Sequence, residues 1–476
     1  MIITTAIVLV EEIEHIEAPY LALGALLGDS MPFLLESALA DKRFGKYSII
    51  GSNPAIIIRS KNGVTEVVKD GTRNYYSTNP FAIVDEEIKA FGFITDSDSA
   101  TLPFTGGAVG YFGYDLNRQV ETMPNIAEDD QGIPDIYLGF YTEAVVVDHQ
   151  EGRTYAVSYI PEGMVGRLPE VELRLRSLIA KVGRGRLREG KGIVAENLSS
   201  NMSKKRYKAM INKAKEYIDA GDIFQVNLAQ RFTADIKVDH YQLYERLRSS
   251  NPAPFAAFLS YGDFSILSSS PERFMLVDDR YVETRPIKGT RPRFNDEHKD
   301  GSSAKELMES EKDAAEHIMI VDVERNDLGR VCEYGSVKAP ELMVVESYKT
   351  VHHLVSTVTG RLRPEVGMMD LLQASFPGGS ISGAPKIRAM EIIEELEPCR
   401  RNIYTGAIGY ISTNRKMDTN IAIRTITAVG RRAYLHVGGG IVADSDPDME
   451  YQETLDKGHA LCNALGLVQH HDVTLY

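Results

Sequence analysis

Short apolar runs follow one another along this chain without a strand–helix–strand beat, and that irregularity constrains the fold more than any single residue does. The first 180 residues hold β-like pieces such as Ala55-Ile-Ile-Ile-Arg59 and Ala144-Val-Val-Val-Asp148, divided by turn signals at Gly106-Gly107 and Asp129-Asp130. The apolar start, residues 1–10, reads as a first strand: it has no basic segment ahead of it and runs into Glu11, Glu12 and Glu14. Residues 181–203, with Gly183, Gly185, Gly190 and Gly192 among charges, read as a linker between a region 1–180 and a region 204–465, with a tail over 466–476. Ser203 is positioned to cap a helix carrying Tyr207, Met210, Ile211, Ala214, Tyr217 and Ile218 at helical spacing, until Gly221 stops it. The stretch 224–232 then alternates Phe224, Val226 and Leu228 with Gln225 and Asn227. That predicts a strand with one dry face and one polar face on which Gln225 is wet or functional. Helices are expected over 304–323 and 387–396, and strands near 405–413, 421–429 and 433–443. The pattern predicts an α+β fold with large, mainly antiparallel sheets.

At 476 residues and 43% hydrophobic content the chain can bury a sizeable core, as two domains or one interleaved one. A net charge of −14 and a pI near 5.4 argue against nucleic-acid binding. Cys332, Cys399 and Cys462 have neither disulfide-framework nor zinc spacing, which fits a reducing, cytoplasmic setting. No run reaches the roughly 20 apolar residues of a membrane span.

Chemistry is concentrated in the second region. Lys288 is framed by Pro286 and Gly289 among Arg285, Arg291 and Arg293. Pro286 fixes its own φ, and Gly289 has backbone freedom and leaves room for a ligand, so Lys288 is held as a nucleophile would be. Neighbouring guanidinium charge and partial burial would free its amine; the alternative is a surface lysine in a basic turn. Asp313 and Glu316 share one helix face, as do Glu450, Glu453 and Lys457, so two helices offer paired carboxylates for an oxygen-only Mg²⁺ site or simply present solvated faces. The run 377–386 places small residues and hydroxyls, Ser380 among them, ahead of a helix start where an anion would be welcome. It lacks the Gly-Lys-Ser/Thr of a Walker A loop. Gly438, Gly439 and Gly440 suggest backbone pressed against a ligand or a bulge, and His352-His353 could hydrogen-bond a substrate or sit in the core.

Together these segments resemble the chorismate-utilising enzymes, the family of anthranilate, aminodeoxychorismate, isochorismate and salicylate synthases. The carriers are Gly221-Asp-Ile-Phe-Gln-Val-Asn227, Ser270-Pro-Glu-Arg273, Pro286-Ile-Lys-Gly-Thr290, Ala315-Glu-His317, Val321-Asp-Val-Glu-Arg-Asn-Asp327, His352-His-Leu-Val-Ser356, the 377–386 run, and Gly438–Gly440 with Glu450 and Glu453. Leu34-Leu-Glu-Ser37 and Gly106-Gly-Ala-Val-Gly-Tyr111 match more loosely. The resemblance implies the anthranilate synthase component I fold, with two sheets face to face and helices outside. It implies Mg²⁺ held mainly by Glu316 and Glu450, with Asp313 and Glu453 beside them, and chorismate gripped by Arg424, Tyr404 and the Gly438–Gly440 backbone. Lys457, His353, Gln225, Thr290 and Ser380 would line the same site, with Glu272 as general acid. Water-adding members of the family carry lysine where this chain has Gln225, and an amide is no general base. The version with Lys288 resembles the aminodeoxychorismate synthases, whereas anthranilate synthases typically have alanine there. Amination of chorismate at C4 is therefore expected, with ammonia from a separate glutaminase subunit, because no cysteine here sits in a glutaminase-like elbow. Anthranilate formation or a catalytically silent amino-acid-binding homologue are the alternatives. Glu36 and Ser37 lie in a segment resembling the tryptophan-binding element of anthranilate synthases.

Overall fold

The structure is a computed structural model that describes residues 6–39, 45–94, 101–162, 168–185, 194–348 and 351–467. Its body is two twelve-stranded antiparallel sheets. Strands from the first 160 residues occupy one end of each, and strands from beyond residue 194 the rest. In one sheet the seam is Phe33–Glu36 against Phe255–Ser260; in the other it is Gly107–Phe112 against Ala407–Ser412. The two halves of the chain thus share both sheets. The expected linker carries the strand Ala195–Ser200, paired to Gln225–Ile236, while residues 186–193 and the tail from 468 lie outside the described residues.

Local sequence explains the layers. Along Ile56–Lys61, Ile56, Ile58 and Ser60 are buried in strict alternation, whereas Ala144–Asp148 is buried at every position because it is covered on both faces. One apolar cluster lies between the sheets, joining Phe33, Ile49 and Val146 of the first to Val109, Tyr111 and Ile408 of the second. A second seats helices His240–Ser250 and Pro447–Ala464 on the outer face of the first sheet. A third, through Phe81, Val84 and Leu372, seats Pro80–Phe91 and Met368–Ser375 on the second. Sheets face to face with helices outside are what the chain forms. No described helix is long and apolar enough to cross a membrane.

Three expectations change in detail. Ser203 caps Lys204–Asp219 through Arg206 N–H as predicted, but the helix expected over 304–323 is two, Glu297–Glu309 and Glu311–Gly329. They break at Ser310, whose hydroxyl accepts the Asp313 N–H at 3.2 Å. The strand predicted from Phe224 starts at Gln225, and Phe224 is 70% exposed because it precedes the pleat rather than lying on its dry face. Between the strands expected near 405–413 and 421–429 lies a further one, Lys416–Ile421.

A buried ion pair ties the layers behind the ligand-facing strands. Arg401 and Glu397, 2% and 4% exposed, meet at 2.6 and 2.9 Å. Arg401 also donates to the carbonyls of Asn227 (2.7 Å) and Ile381 (3.1 Å) and lies over the Tyr114 ring, while Glu397 accepts the Ala229 N–H at 2.8 Å. Removing one partner strands a buried charge. Arg401→Met is expected to lower unfolding free energy by about 3–5 kcal/mol, read from urea denaturation.

Candidate active site

Strand Gln225–Ile236 pairs with Arg432–Ile441 so that Asn227, Leu228 and Ala229 oppose Gly440, Gly439 and Gly438. A Cβ on Gly438 would lie 2.5 Å from the Leu228 carbonyl oxygen, so close strand approach, not a bulge, demands glycine there. A Cβ on Gly440 would lie 2.7 Å from both Gln225 Nε2 and Lys288 Nζ and 2.9 Å from Asn227 Oδ1. The amine and two amides therefore converge on the space this glycine leaves open. Gln225 is wholly buried, its Nε2 donating to Asn227 Oδ1 at 3.3 Å and its Oε1 without a partner.

Lys288 enters from strand Ile287–Pro292. The register against Val351–Arg361 slips between Lys288 and Thr290, and Gly289 sits in the slip at φ +75° with no room for a side chain beside Leu307 and Asp313. Lys288 Nζ lies 3.4 Å from Glu316. The flanking arginines are not a bare positive frame: Arg285 pairs with Glu341 and Glu346, Arg291 with Glu306 and Asp313, and Arg293 with Asp300. Thr290 Oγ1 meets His353 Nδ1 at 2.9 Å. Burial first, then the Arg424 charge, pushes His353 down to about 4, so it is a neutral imidazole near pH 7.

Glu272, 4% exposed, lies beside the start of the strand that carries Lys288. Its Oε1 accepts from Ser380 Oγ at 2.8 Å and from Ile287 N–H at 3.3 Å. Burial nevertheless pushes it up to about 7, against those bonds and the Lys288 charge, so a proton is available near neutrality. The 377–386 run is not the open anion cradle expected. Gly379 N–H goes to Glu324, Ser380 O accepts from Asn227 Nδ2, and Ser382 O and Ala384 O accept from Asn227 and Phe224 N–H. Ser380 thus stands behind Glu272 and Asn227.

Beyond Gly439 lie the helices. A Cβ there would be 3.2 Å from Glu450 Oε2, 3.6 Å from Glu453 Oε1 and 3.8 Å from Lys457 Nζ. Burial pushes Glu450 upward, with Ser445 Oγ donating to it at 2.6 Å. Glu453 is paired to Lys457 at 2.5 Å, and Lys457 also donates to Gly438 O at 3.1 Å. Asp313, paired to Arg291 at 2.9 Å, is turned away from this group. Among the described residues no three His, Cys, Asp or Glu side chains close into a metal cluster, so the fourfold set of Asp313, Glu316, Glu450 and Glu453 is not gathered. Arg424 has left-handed backbone (φ +52°) and its guanidinium donates to the Lys457 carbonyl. Tyr404 stacks on His436 at 5.0 Å.

Two neighbours were quoted in the sequence reading without being assigned to the site. Asn227 shares the Gln225 face, a period-2 signal that was visible. His317 is fully buried, its Nε2 2.6 Å from Ser356 Oγ and its Nδ1 unpartnered. Burial, then Lys288, pushes it down to about 4, and nothing local in sequence signals that. Glu36 and Ser37 lie on a cavity of about 280 Å³ bounded also by Tyr47, Phe255, Arg273 and Tyr410. The Glu36 carboxylate is held by Arg248 (2.7 and 2.9 Å) and Tyr244 (2.8 Å), and Ser37 Oγ donates to Tyr47 O at 2.8 Å.

Comparison with known proteins agrees with this geometry: a family model described as chorismate binding enzyme matches residues 35–463, and the chain belongs to that family. It is 44% identical over 432 residues to aminodeoxychorismate synthase component 1 of Salmonella typhimurium, covering 91% of this chain and 92% of that one. It is 39% identical to anthranilate synthase component 1 of Acetivibrio thermocellus, covering 91% and 90%. Among solved structures it resembles anthranilate synthase component I of Streptococcus pneumoniae at TM-score 0.78 and 35% identity, over 89% and 93% of the two chains.

Since Glu272 keeps its proton to about pH 7 when folded, against 4.5 ordinarily, ionisation favours the unfolded chain. This carboxyl's contribution therefore falls as pH rises through that window. Glu272→Gln removes the effect: relative to wild type it should gain on the order of 2 kcal/mol of stability between pH 4.5 and pH 8, read from urea midpoints.

Proposed function

We propose that this chain is the chorismate-aminating component of an aminodeoxychorismate synthase, forming 4-amino-4-deoxychorismate on the route to p-aminobenzoate and folate. The observation that carries the reading is the convergence of Lys288, Gln225 and Asn227 on the space beside Gly440, with buried Glu272 accepting from the N–H of Ile287, the residue before Lys288. The Lys288 amine adds at ring C2, both double bonds of the ring diene shift toward C4, and the C4–O bond breaks. Glu272 gives its proton to the departing hydroxyl, which leaves as water. Ammonia then adds at C4, the electrons return, the lysine amine is expelled, and the surplus ammonia proton restores Glu272. Gln225 supplies no base for water, which supports ammonia as the second nucleophile. Arg424, Tyr404 and the Gly438–Gly440 backbone grip the substrate carboxylates, with Thr290, neutral His353 and Lys457 alongside.

Magnesium fits the residues present. Mg²⁺ is commonly held by one or two carboxylates with substrate and water, and Glu450 Oε2 borders the gap left by the missing Cβ of Gly439. Glu316 and Glu450 would hold it, with Asp313 and Glu453 outside the set because no three such carboxylates gather among the described residues. When bound it withdraws electron density from the ring carboxylate as a Lewis acid. The relatives' name, component 1, supports a partner protein, and we assign it as a glutaminase supplying ammonia. Unpaired thiols at Cys332, Cys399 and Cys462 favour the cytoplasm.

The cavity beside Glu36 and Ser37 is assigned to tryptophan, held by its walls, since both side chains already have protein partners. The chain has no tryptophan of its own. Indole emission from purified protein, lost after denaturation and dialysis, or a rise in melting temperature with added tryptophan, is the expected result. Neither appearing would refute this assignment.

Amination at C2 is the second reading, favoured by the 39% identity to anthranilate synthase. Product analysis with chorismate, ammonium and Mg²⁺ separates the two. Wild type should give the 4-amino product, and Lys288→Ala should lose it at least a hundredfold, with slow 2-amination in its place. A wild-type rate of 4-amination by that variant would refute the nucleophile.

A further inference from the structure

Lys312 is explained neither by the nucleophile nor by the substrate grip. It begins the helix Glu311–Gly329 one turn before Glu316, with Nζ 4.0 Å from Glu316 Oε1 and its side chain 54% exposed. Among the described residues Glu316 is the only group paired with it.

The carboxylates facing the space beside Gly439 and Lys288 are thus already compensated. Glu316 has Lys288 at 3.4 Å and Lys312 at 4.0 Å, and Glu453 has Lys457 at 2.5 Å. Lys288 and Lys457 are anchored inside the site, the first beside Gln225 and Asn227, the second on the Gly438 carbonyl. Lys312 alone of the three is half in solvent, on a flexible stem. A pair of that kind is worth at most about 1 kcal/mol and can be given up when a stronger cation arrives.

We propose that Lys312 is a resident counter-cation of the Glu316 carboxylate. It compensates that carboxylate when no dication is present, withdraws to solvent when one binds, and keeps divalent affinity low until an anionic substrate adds charge to the site. This rests on the assignment of Glu316 and Glu450 as metal ligands.

The test is Mn²⁺ binding to the full chain without chorismate, followed by loss of the free-ion EPR signal, with Mg²⁺ as competitor. Lys312→Met should tighten Mn²⁺ at least fivefold, and Lys312→Arg should match wild type. Lys305→Met is the control for net charge, because Lys305 pairs with Glu309 at the same helical spacing on the preceding helix; it should shift affinity less than twofold. Unchanged or weaker binding by Lys312→Met, or equal tightening by Lys305→Met, overturns the proposal. Glu316→Gln and Glu450→Gln keep the two failures apart. If they bind Mn²⁺ as wild type does, the ligand assignment fails; if they bind it more weakly while Lys312→Met is unchanged, only the counter-cation fails.

Discussion

The Arg401–Glu397 pair is the interaction on which the rest of the molecule leans. Buried charges are costly unless their donors and acceptors are used, and here they are used on three separate parts of the fold. The pair fixes Asn227 and Ala229 in the central strand, Ile381 in the turn before the Lys386–Leu396 helix, and the Tyr114 ring from the N-terminal region. Asn227 in turn carries the Gln225 amide and the Ser380 carbonyl, and Ser380 carries Glu272. A displacement at Arg401 would therefore reach both the amide pair and the Glu272 carboxyl without touching either directly.

How legible this was depends on range. The Ser203 cap, the polar face of Gln225 and the small-residue demand at Gly438 are local, and each is visible in the spacing of neighbouring residues. Lys288 was recognisable as a held lysine from Pro286 and Gly289, and the register slip at Gly289 is the physical form of that hold. What the arginines around it do was not legible. Arg285, Arg291 and Arg293 find their carboxylates on Glu341, Glu346, Glu306, Asp313 and Asp300, and no local rule announces such partners. The same limit hid the true work of the 377–386 run, whose polar groups are consumed by Glu324, Asn227 and Glu272. Ser310, by contrast, was an overlooked local signal, a cap residue inside an apparently continuous helical pattern.

Electrostatically the site is balanced rather than charged. Carboxylates on two helices and lysines from a strand and both helices face one another, while His353 and His317 are kept neutral by burial and by nearby cations. On the proposed function, a dianionic substrate would meet Arg424 and Lys457 at one end and the Glu272 carboxyl at the other. It does not have to displace a strong fixed field of either sign.

The sharing of both sheets between distant parts of the chain has a consequence for how the molecule is made. The strand Arg432–Ile441 lies between Thr425–Val429 and Gln225–Ile236, and Ala407–Ser412 lies beside Gly107–Phe112. On the ribosome neither sheet can close until the last quarter of the polypeptide has emerged, since strands made early wait for neighbours made last. Contacts of such long sequence separation form slowly and leave unpaired edges exposed meanwhile. The chain therefore matures as one late, cooperative event, and its vulnerable period is set by the time translation takes to reach the glycine strand.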